Sequence, residues 1–163
     1  QRGYVPLGYK GDAAKTAATF PVIGGVRYAV PGDRARHLAG GTIELLGRDS
    51  VTINSGGEKI FAEEVESAIA SHPDVADVVV ASRPSERWGQ EVVAVVALAD
   101  DAVARPDTAA ALIDHAAQSI ARYKLPKAIV FRSTIVRSPA GKADYRWARE
   151  QAVSDASAPG DTR

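Results

Sequence analysis

The pattern of apolar and polar positions changes near residue 50. Before this point, three short β-like runs cover Val26–Val30, Arg34–Leu38 and Thr42–Leu46, and they are separated by Pro31-Gly32 and Gly40-Gly41. Short runs divided by turn-forming residues predict a β-meander. The first part of the chain is therefore expected to be β-rich.

After residue 50 the pattern predicts helices and buried strands. Val65, Ala68 and Ile69 recur at helical spacing, and Pro73 favours an end to that helix at the preceding residue. The predicted helices are Ala62–His72, Thr108–Ala121 and Ala143–Val153, and the predicted strands are Asp77–Ser82, Gln90–Leu98 and Lys127–Phe131. With a short β segment in front, this order predicts an α+β domain in which helices pack on a small sheet.

These patterns divide the chain at predicted boundaries. Residues 1–47 form the β-rich part, which starts with a turn-rich lead, and residues 48–50 form a boundary. Residues 51–153 are expected to fold as one domain because they carry their own sheet and helices. Residues 154–163 are small and polar, so we expect a frayed tail.

Composition excludes several kinds of protein. The 163 residues include 20 Lys+Arg and 20 Asp+Glu, so bulk charge gives no argument for nucleic-acid binding. Without cysteine, disulfides and thiol catalysis are excluded. No apolar run reaches the roughly 18–20 residues that span a bilayer, the start lacks the apolar core of a signal peptide, and we expect a cytoplasmic protein. The chain also lacks methionine, so we expect a piece of a longer protein.

Two residues in the first part are candidates for nucleotide binding. Asp33 follows Pro31-Gly32, and the ordinary interpretation of this segment is a β-turn. A carboxylate can, however, accept a hydrogen bond from each hydroxyl of a vicinal diol. Arg48 is ordinarily a surface cation, but a guanidinium is also a permanent, forked donor for phosphate.

Three loops in the second part are candidates for catalysis or binding. Ser55-Gly56-Gly57-Glu58 forms a turn, and its bare backbone could let a slender substrate pass closely. Trp88, in Arg87-Trp88-Gly89-Gln90, either packs in the core or stacks on a base. Lys142 follows Gly141 in a loop, where it is either a solvated cation or a cation that offsets charge developing on phosphoryl oxygens.

The order and spacing of these motifs resemble the carboxyl-terminal signatures of adenylate-forming enzymes, which include acyl-CoA synthetases, firefly luciferase and peptide-synthetase adenylation domains. The resemblance covers about residues 4–153. It implies that residues 1–47 end a large amino-terminal domain and that residues 51–153 form the mobile carboxyl-terminal domain, with a small mixed sheet.

The resemblance also implies roles on the nucleotide side. Asp33 and Arg48 would bind the ribose and phosphates of ATP, although Pro31 stands where threonine is usual. The hinge would lie at Asp49 and Ser50, where the family usually has aspartate or lysine at the second position. Lys142 would be the catalytic residue of adenylation, and the Mg²⁺ ligand is expected in the large domain.

The resemblance also implies a CoA-binding site with two walls. Ser55, Gly56 and Gly57 would line the pantetheine tunnel, and Trp88 would lie near the CoA adenine. Tyr123 and Lys124 would form the other wall. Because Leu125 replaces an arginine found in some relatives, Lys124 or Lys127 would have to meet the CoA phosphates.

The implied activity is that of an acid–CoA ligase. A carboxylic acid, such as a fatty acid, is activated with ATP to an acyl-adenylate, and CoA then displaces AMP. The Ser-Gly-Gly-Glu loop favours acyl- and aryl-CoA ligases, because peptide-synthetase domains usually have a bulkier basic loop there. Alternatives are a luciferase- or peptide-synthetase-type domain, and a non-catalytic interaction module of the same fold. We expect no useful turnover from this chain alone.

Other polar residues are interpreted as structural. His37, His72 and His115 show no metal-ligand spacing. The acidic cluster Glu63, Glu64 and Glu66 is interpreted as charge at a helix N-terminus. The β-like runs of residues 1–47 would have unpaired edges in this chain, so we expect a homodimer or a strand swap through them.

Overall fold

A computed structural model describes residues 5–30, 32–48, 51–100 and 102–156. The chain divides into two compact units, residues 1–50 and residues 51–163. Asp49, Ser50 and residues 157–163, which include predicted hinge and tail positions, lie outside the described residues.

The described residues of the first unit form one short helix and two antiparallel ribbons, β1 with β2 and β3 with β4. Its elements are α1 (Ala13–Thr19), β1 (Val22–Ile23), β2 (Val26–Arg27), β3 (Asp33–His37) and β4 (Ile43–Arg48). α1 lies in the turn-rich lead, where no helix was predicted. Asp12 starts α1 by accepting a hydrogen bond from the Lys15 backbone N–H.

The second unit is the predicted α+β domain. Its elements are β5 (Thr52–Ser55), β6 (Glu58–Phe61), α2 (Ala62–Ala70), β7 (Val75–Ser85), β8 (Gly89–Leu98), α3 (Thr108–Ala116), a 3₁₀ helix (Arg122–Lys124), β9 (Ala128–Phe131) and α4 (Tyr145–Ala156). The main sheet has the order β7-β8-β9, with β8 antiparallel to β7 and parallel to β9. The prediction of a small mixed sheet is confirmed.

Helices cover both faces of this sheet, which explains why its strands are almost continuously apolar. Because successive side chains on a strand point to opposite faces, Val78 and Val80 join one buried cluster while Val79 and Ala81 join the other. The first cluster includes residues of α2 and α3, and the second includes Ala148 and Ala152 of α4. The sheet is thus a rigid platform for the loops at its ends.

The predicted helix ends differ from the observed ones for local reasons. α3 ends at Ala116 rather than Ala121, and Ile120 beyond it packs against the first cluster. α4 begins at Tyr145 because Asp144 Oδ1 accepts hydrogen bonds from the N–H groups of Arg146 and Trp147. It continues to Ala156, three residues into the segment expected as a tail. No described helix is long and apolar enough to cross a membrane.

Candidate functional site

The two candidate nucleotide-binding residues lie opposite each other on one ribbon. Asp33 opens β3, and its register partner is Arg48, the last residue of β4. A register shift between Arg34 and Ala35 marks a bulge beside this pair. The backbone register therefore brings the predicted ribose and phosphate ligands to one end of the first unit.

The glycine pair forms a tight hairpin turn between β5 and β6. Gly56 and Gly57 have φ angles of +58° and +87°, and the turn type of a two-residue hairpin with two positive φ angles favours glycine at both positions. A Cβ at Gly57 would meet no atom within 4 Å. The turn thus presents bare backbone to open space at its tip.

Trp88 lies against this glycine turn. The Gly56 N–H donates to the Trp88 carbonyl at 2.9 Å, and a Cβ at Gly56 would lie 2.8 Å from Cε3 of the indole. The guanidinium of Arg87 lies 4.6 Å from the ring centroid. Trp88 is 40% exposed and belongs to neither buried cluster. Its indole is therefore held in place yet accessible, which core packing alone would not require.

The second predicted wall of the CoA site carries one lysine that is held in an ion pair and one lysine that is exposed. Lys124 Nζ forms an ion pair of 2.5 Å with Glu64 Oε1 in the first turn of α2. Leu125 packs against the first cluster, and Tyr123 is exposed. Lys127 is exposed, and its ammonium has no partner among the described residues. Of the two lysines proposed to meet phosphates, Lys127 is the more available.

Lys142 closes a small hairpin. The Gly141 N–H donates to the Ser138 carbonyl at 2.8 Å, and the Ser138 N–H donates to the Lys142 carbonyl at 2.8 Å. Ser-Pro-Ala-Gly suits a type I turn followed by glycine at positive φ, and Gly141 has φ +75°. The Lys142 side chain is exposed, and within the described residues its ammonium has no partner.

A salt bridge that sequence reasoning missed fixes this hairpin to the sheet. Arg137 donates from Nε to Asp77 Oδ2 at 2.7 Å and from Nη2 to Asp77 Oδ1 at 2.5 Å. Its Nη1 donates to the Gly141 carbonyl at 3.3 Å. The guanidinium of Arg137 holds the pKa of Asp77 below its usual range. The available signal was Arg137 itself, which directly precedes the Ser-Pro-Ala-Gly turn.

Glu66 does not serve as charge at the helix N-terminus, and that interpretation was wrong. Its carboxylate accepts hydrogen bonds from the Val80 N–H at 2.8 Å and from the Tyr145 hydroxyl at 3.4 Å. The pKa of Glu66 is raised to about 7, chiefly by burial and also by the charge of Glu63, whereas Val80, Tyr145 and Arg137 act in the opposite direction. Burial and the Glu66 carboxylate also raise the pKa of Tyr145.

We expect Glu66→Gln to remove a pH dependence of stability. The pKa of Glu66 is raised above its ordinary value of 4.5 to about 7, so the folded state binds this proton more tightly than the unfolded state. The wild-type free energy of unfolding therefore falls as pH rises from about 4.5 to about 7, by at most about 3 kcal/mol. Because glutamine does not ionise, the free energy of unfolding of the variant rises relative to that of the wild type over this pH interval.

Urea unfolding of both proteins at pH 5 and pH 8 measures this difference. Glu150→Gln is the matched control, because it removes the same charge from an exposed position on α4 and should change stability by less than about 0.5 kcal/mol at either pH. If the difference in free energy of unfolding between Glu66→Gln and the wild type is the same at both pH values, the assigned pKa is contradicted.

The histidines do not join the candidate site. His72 and His115 contact each other edge to face, with ring centroids 5.0 Å apart, and His115 Nε2 lies 2.8 Å from the Ser71 Oγ. Among the described residues there is no group of three acidic, histidine or cysteine side chains able to hold a metal ion.

The Lys142 hairpin and the glycine turn lie at opposite ends of one strand pair. Asp77, near the start of β7, anchors the Lys142 hairpin through Arg137. Gly56 contacts Trp88, in the turn between β7 and β8. From Asp77 to Ser85 a strand spans about 26 Å. The second unit therefore carries two separate candidate loops, one at each end of the β7–β8 pair.

Comparison with known proteins defines the class of this chain. Residues 64–142 match the family described as the AMP-binding enzyme C-terminal domain. The chain therefore carries an AMP-binding enzyme C-terminal domain, and its high-identity relatives are acyl-CoA ligases. The family and the fold predicted from the sequence motifs are thereby confirmed.

Individual relatives refine the assignment. The chain is 81% identical over 154 residues to the medium-chain acyl-CoA ligase Mig of Mycobacterium avium, covering 94% of this chain and 28% of that protein. It is 53% identical to the 3-oxocholest-4-en-26-oate–CoA ligase of Rhodococcus rhodochrous, over 91% of this chain and 26% of that protein. The chain thus spans little more than a quarter of the length of these curated relatives.

A solved structure shows the same fold. The o-succinylbenzoate CoA synthetase of Bacillus subtilis, in complex with its acyl-adenylate intermediate, superposes with a TM-score of 0.73 at 27% identity. The match covers 87% of this chain and 28% of that one.

Proposed function

We propose that this chain is the carboxyl-terminal part of an ATP-dependent acid–CoA ligase. In the first half-reaction a carboxylate attacks the α-phosphate of ATP and releases pyrophosphate; in the second, the CoA thiol displaces AMP from the acyl-adenylate. The observation that carries the proposal is the placement of the Lys142 hairpin and the glycine turn at opposite ends of β7 and β8. Each loop has the chemistry that one half-reaction needs.

Lys142 serves the first half-reaction in this proposal. Attack of one anion on another brings like charges together and builds negative charge on the phosphoryl oxygens. The exposed ammonium of Lys142 on this hairpin can offset that charge. Asp33 and Arg48 would hold the ribose and phosphates. ATP would carry Mg²⁺ held by residues outside this chain.

The glycine turn serves the second half-reaction. Bare backbone at Gly57 leaves room for the pantetheine arm, with Ser55 and Gly56 beside it. The accessible indole of Trp88 would stack on the adenine of CoA. Tyr123 and Lys124 would form the other wall, where Lys127 is the more available cation for phosphate.

The two half-reactions require a rotation of the second unit. We propose the hinge at Asp49 and Ser50, directly before β5. Rotation about this hinge would move the Lys142 end of the β7–β8 pair away from the active site and bring in the end that carries the glycine turn. One domain would then serve two half-reactions.

For the acid, we propose a medium-chain fatty acid. The basis is the 81% identity to a medium-chain acyl-CoA ligase. The full-length enzyme would be tested for AMP release with CoA, using straight-chain acids of increasing length, benzoate and a steroid side-chain acid. The highest rate with medium-chain acids supports this assignment, and absence of acid-dependent AMP release from all of them refutes the proposed activity. The enzyme would act in the cytoplasm, where ATP and CoA are available.

We expect Trp88→Ala to raise the KM for CoA without changing the KM for ATP. Loss of base stacking costs about 1–3 kcal/mol, which corresponds to roughly a 5- to 100-fold increase. Steady-state kinetics of the full-length enzyme with each substrate varied would measure both constants.

Trp147→Ala is the control for a structural effect. Trp147 packs against the second buried cluster, so its loss should lower thermal stability without a selective change in the KM for CoA. If Trp88→Ala behaves in the same way as this control, its assignment to CoA is wrong.

A second candidate function is self-association through the first unit. Val22, Ile23, Ile43 and Leu45 are exposed, and Leu45 is exposed to 76%. In this chain alone, such side chains and the edges of two-stranded ribbons would favour pairing with a second copy. We propose this as a homodimer or strand swap of the isolated chain.

A further inference from the structure

Apolar contacts hold the Lys142 hairpin at its two ends, where Ile135 and Ala143 pack against the second buried cluster, but not along its length. Every residue from 136 to 142 is exposed. One isolated backbone bridge, between Arg137 and Ala143, closes the hairpin at its base. Beyond this base, side-chain contacts with the sheet can fix the direction of the exposed turn.

We propose that Arg137 is a positioning residue for Lys142. It bridges two fixed points, because it binds both carboxylate oxygens of Asp77 near the start of β7 and also donates to the Gly141 carbonyl. Gly141 directly precedes Lys142, so the guanidinium links the residue beside the catalytic ammonium to the sheet. This inference rests on the proposed role of Lys142 in adenylation.

The chemistry of arginine suits this bridge. A guanidinium presents five donors in a rigid plane, so two can bind a carboxylate while another binds a carbonyl. A lysine is a point donor and cannot hold both partners in a fixed geometry. Charge-assisted, forked pairs are also the stronger kind of hydrogen bond.

A second contact lies on the carboxyl-terminal side of the hairpin. Tyr145 follows Lys142 by three residues, and its hydroxyl donates to Glu66, which also accepts from the Val80 N–H of β7. Lys142 thus lies between two anchors, and both lead to β7. Of these two anchors, Arg137 is the one that reaches the hairpin backbone, so it is the residue to test.

The same strand offers a matched control. Arg83 of β7 pairs with Glu91 of β8, with Nε 2.7 Å from Oε1, and both side chains are less exposed than those of Arg137 and Asp77. Arg83 has no hydrogen bond or ion pair with the described residues of the Lys142 hairpin, since its partner is its cross-strand neighbour. Replacing it removes a similar ion pair without releasing the hairpin.

The first measurement compares half-reactions in the full-length enzyme. We expect Arg137→Gln to slow acid-dependent pyrophosphate exchange by roughly 10- to 100-fold, because misplacing a catalytic group by about 1 Å has costs of this order. CoA attack on supplied acyl-adenylate should stay within about twofold of the wild type. Arg83→Gln should leave the ratio of the two rates unchanged. A ratio that is also unchanged in Arg137→Gln overturns the positioning role.

The second measurement uses this 163-residue chain and does not depend on activity. Amide order parameters from ¹⁵N relaxation report motion on the picosecond-to-nanosecond scale. We expect lower values at Gly141 and Lys142 in Arg137→Gln, and wild-type values there in Arg83→Gln. Unchanged order at both amides in Arg137→Gln also overturns the inference. If the wild-type enzyme shows no acid-dependent pyrophosphate exchange, the proposed function is refuted instead. The relaxation experiment still shows whether Arg137 holds the hairpin in place.

Discussion

Lys142→Ala is expected to reduce acyl-adenylate formation by about 10²- to 10³-fold in the full-length enzyme, the cost of removing one preorganised group that stabilises a developing oxyanion. The ammonium is exposed on an ordered hairpin and has no partner among the described residues, so it is available to a substrate. The thioester half-reaction should change little, because the glycine turn lies at the other end of the strand pair. Pyrophosphate exchange and CoA attack on supplied adenylate measure the two halves separately.

The control for Lys142→Ala is Arg146→Ala. Arg146 is a nearby cation on α4, its side chain is 90% exposed, and its ion pair with Glu150 is within one helix. Exposed pairs of this kind contribute little to stability, so this variant should retain both half-reactions. Equal losses of adenylation and thioester formation in Lys142→Ala would show that the lysine does not distinguish the two steps.

Local sequence patterns predicted the strands that are buried on both faces of the sheet. β7 and β8 are covered on both faces, so their apolar runs mark them directly. α1 was missed because it has no buried residue and hence no apolar periodicity to detect. The end of α3 was misplaced because Ile120 continues the helical spacing, although the chain has already turned after Ala116.

The candidate site was predictable where a motif is local. The glycine turn and the Lys142 hairpin each lie within five residues, and their glycine and proline residues predict the turns. The contacts that hold these loops are not local. Arg137 and Asp77 are 60 positions apart, as are Lys124 and Glu64. Such pairs appear only when the sheet brings distant segments together, which is why the role of Glu66 was also misinterpreted.

Gly57→Leu is expected to have the opposite effect to Lys142→Ala. A leucine side chain would fill the space in front of the turn, where a Cβ at Gly57 meets no other atom within 4 Å, and would block the approach of the pantetheine arm. We expect acyl-CoA formation to fall by at least about 100-fold at saturating CoA, a loss of roughly 3 kcal/mol in transition-state stabilisation. Pyrophosphate exchange should remain near the wild-type rate.

The control for this substitution is Gly57→Ala, because any side chain at φ +87° carries backbone strain, on the order of 1–2 kcal/mol. Alanine has that strain but little volume, so it should lower stability about as much as leucine while retaining most of the thioester activity. Gly56 is unsuitable for this test, since a Cβ there would collide with Trp88 at 2.8 Å and disturb a second predicted CoA contact. If leucine and alanine at position 57 reduce acyl transfer equally, strain rather than access explains the loss. If neither reduces it, the glycine turn does not line the path of the thiol.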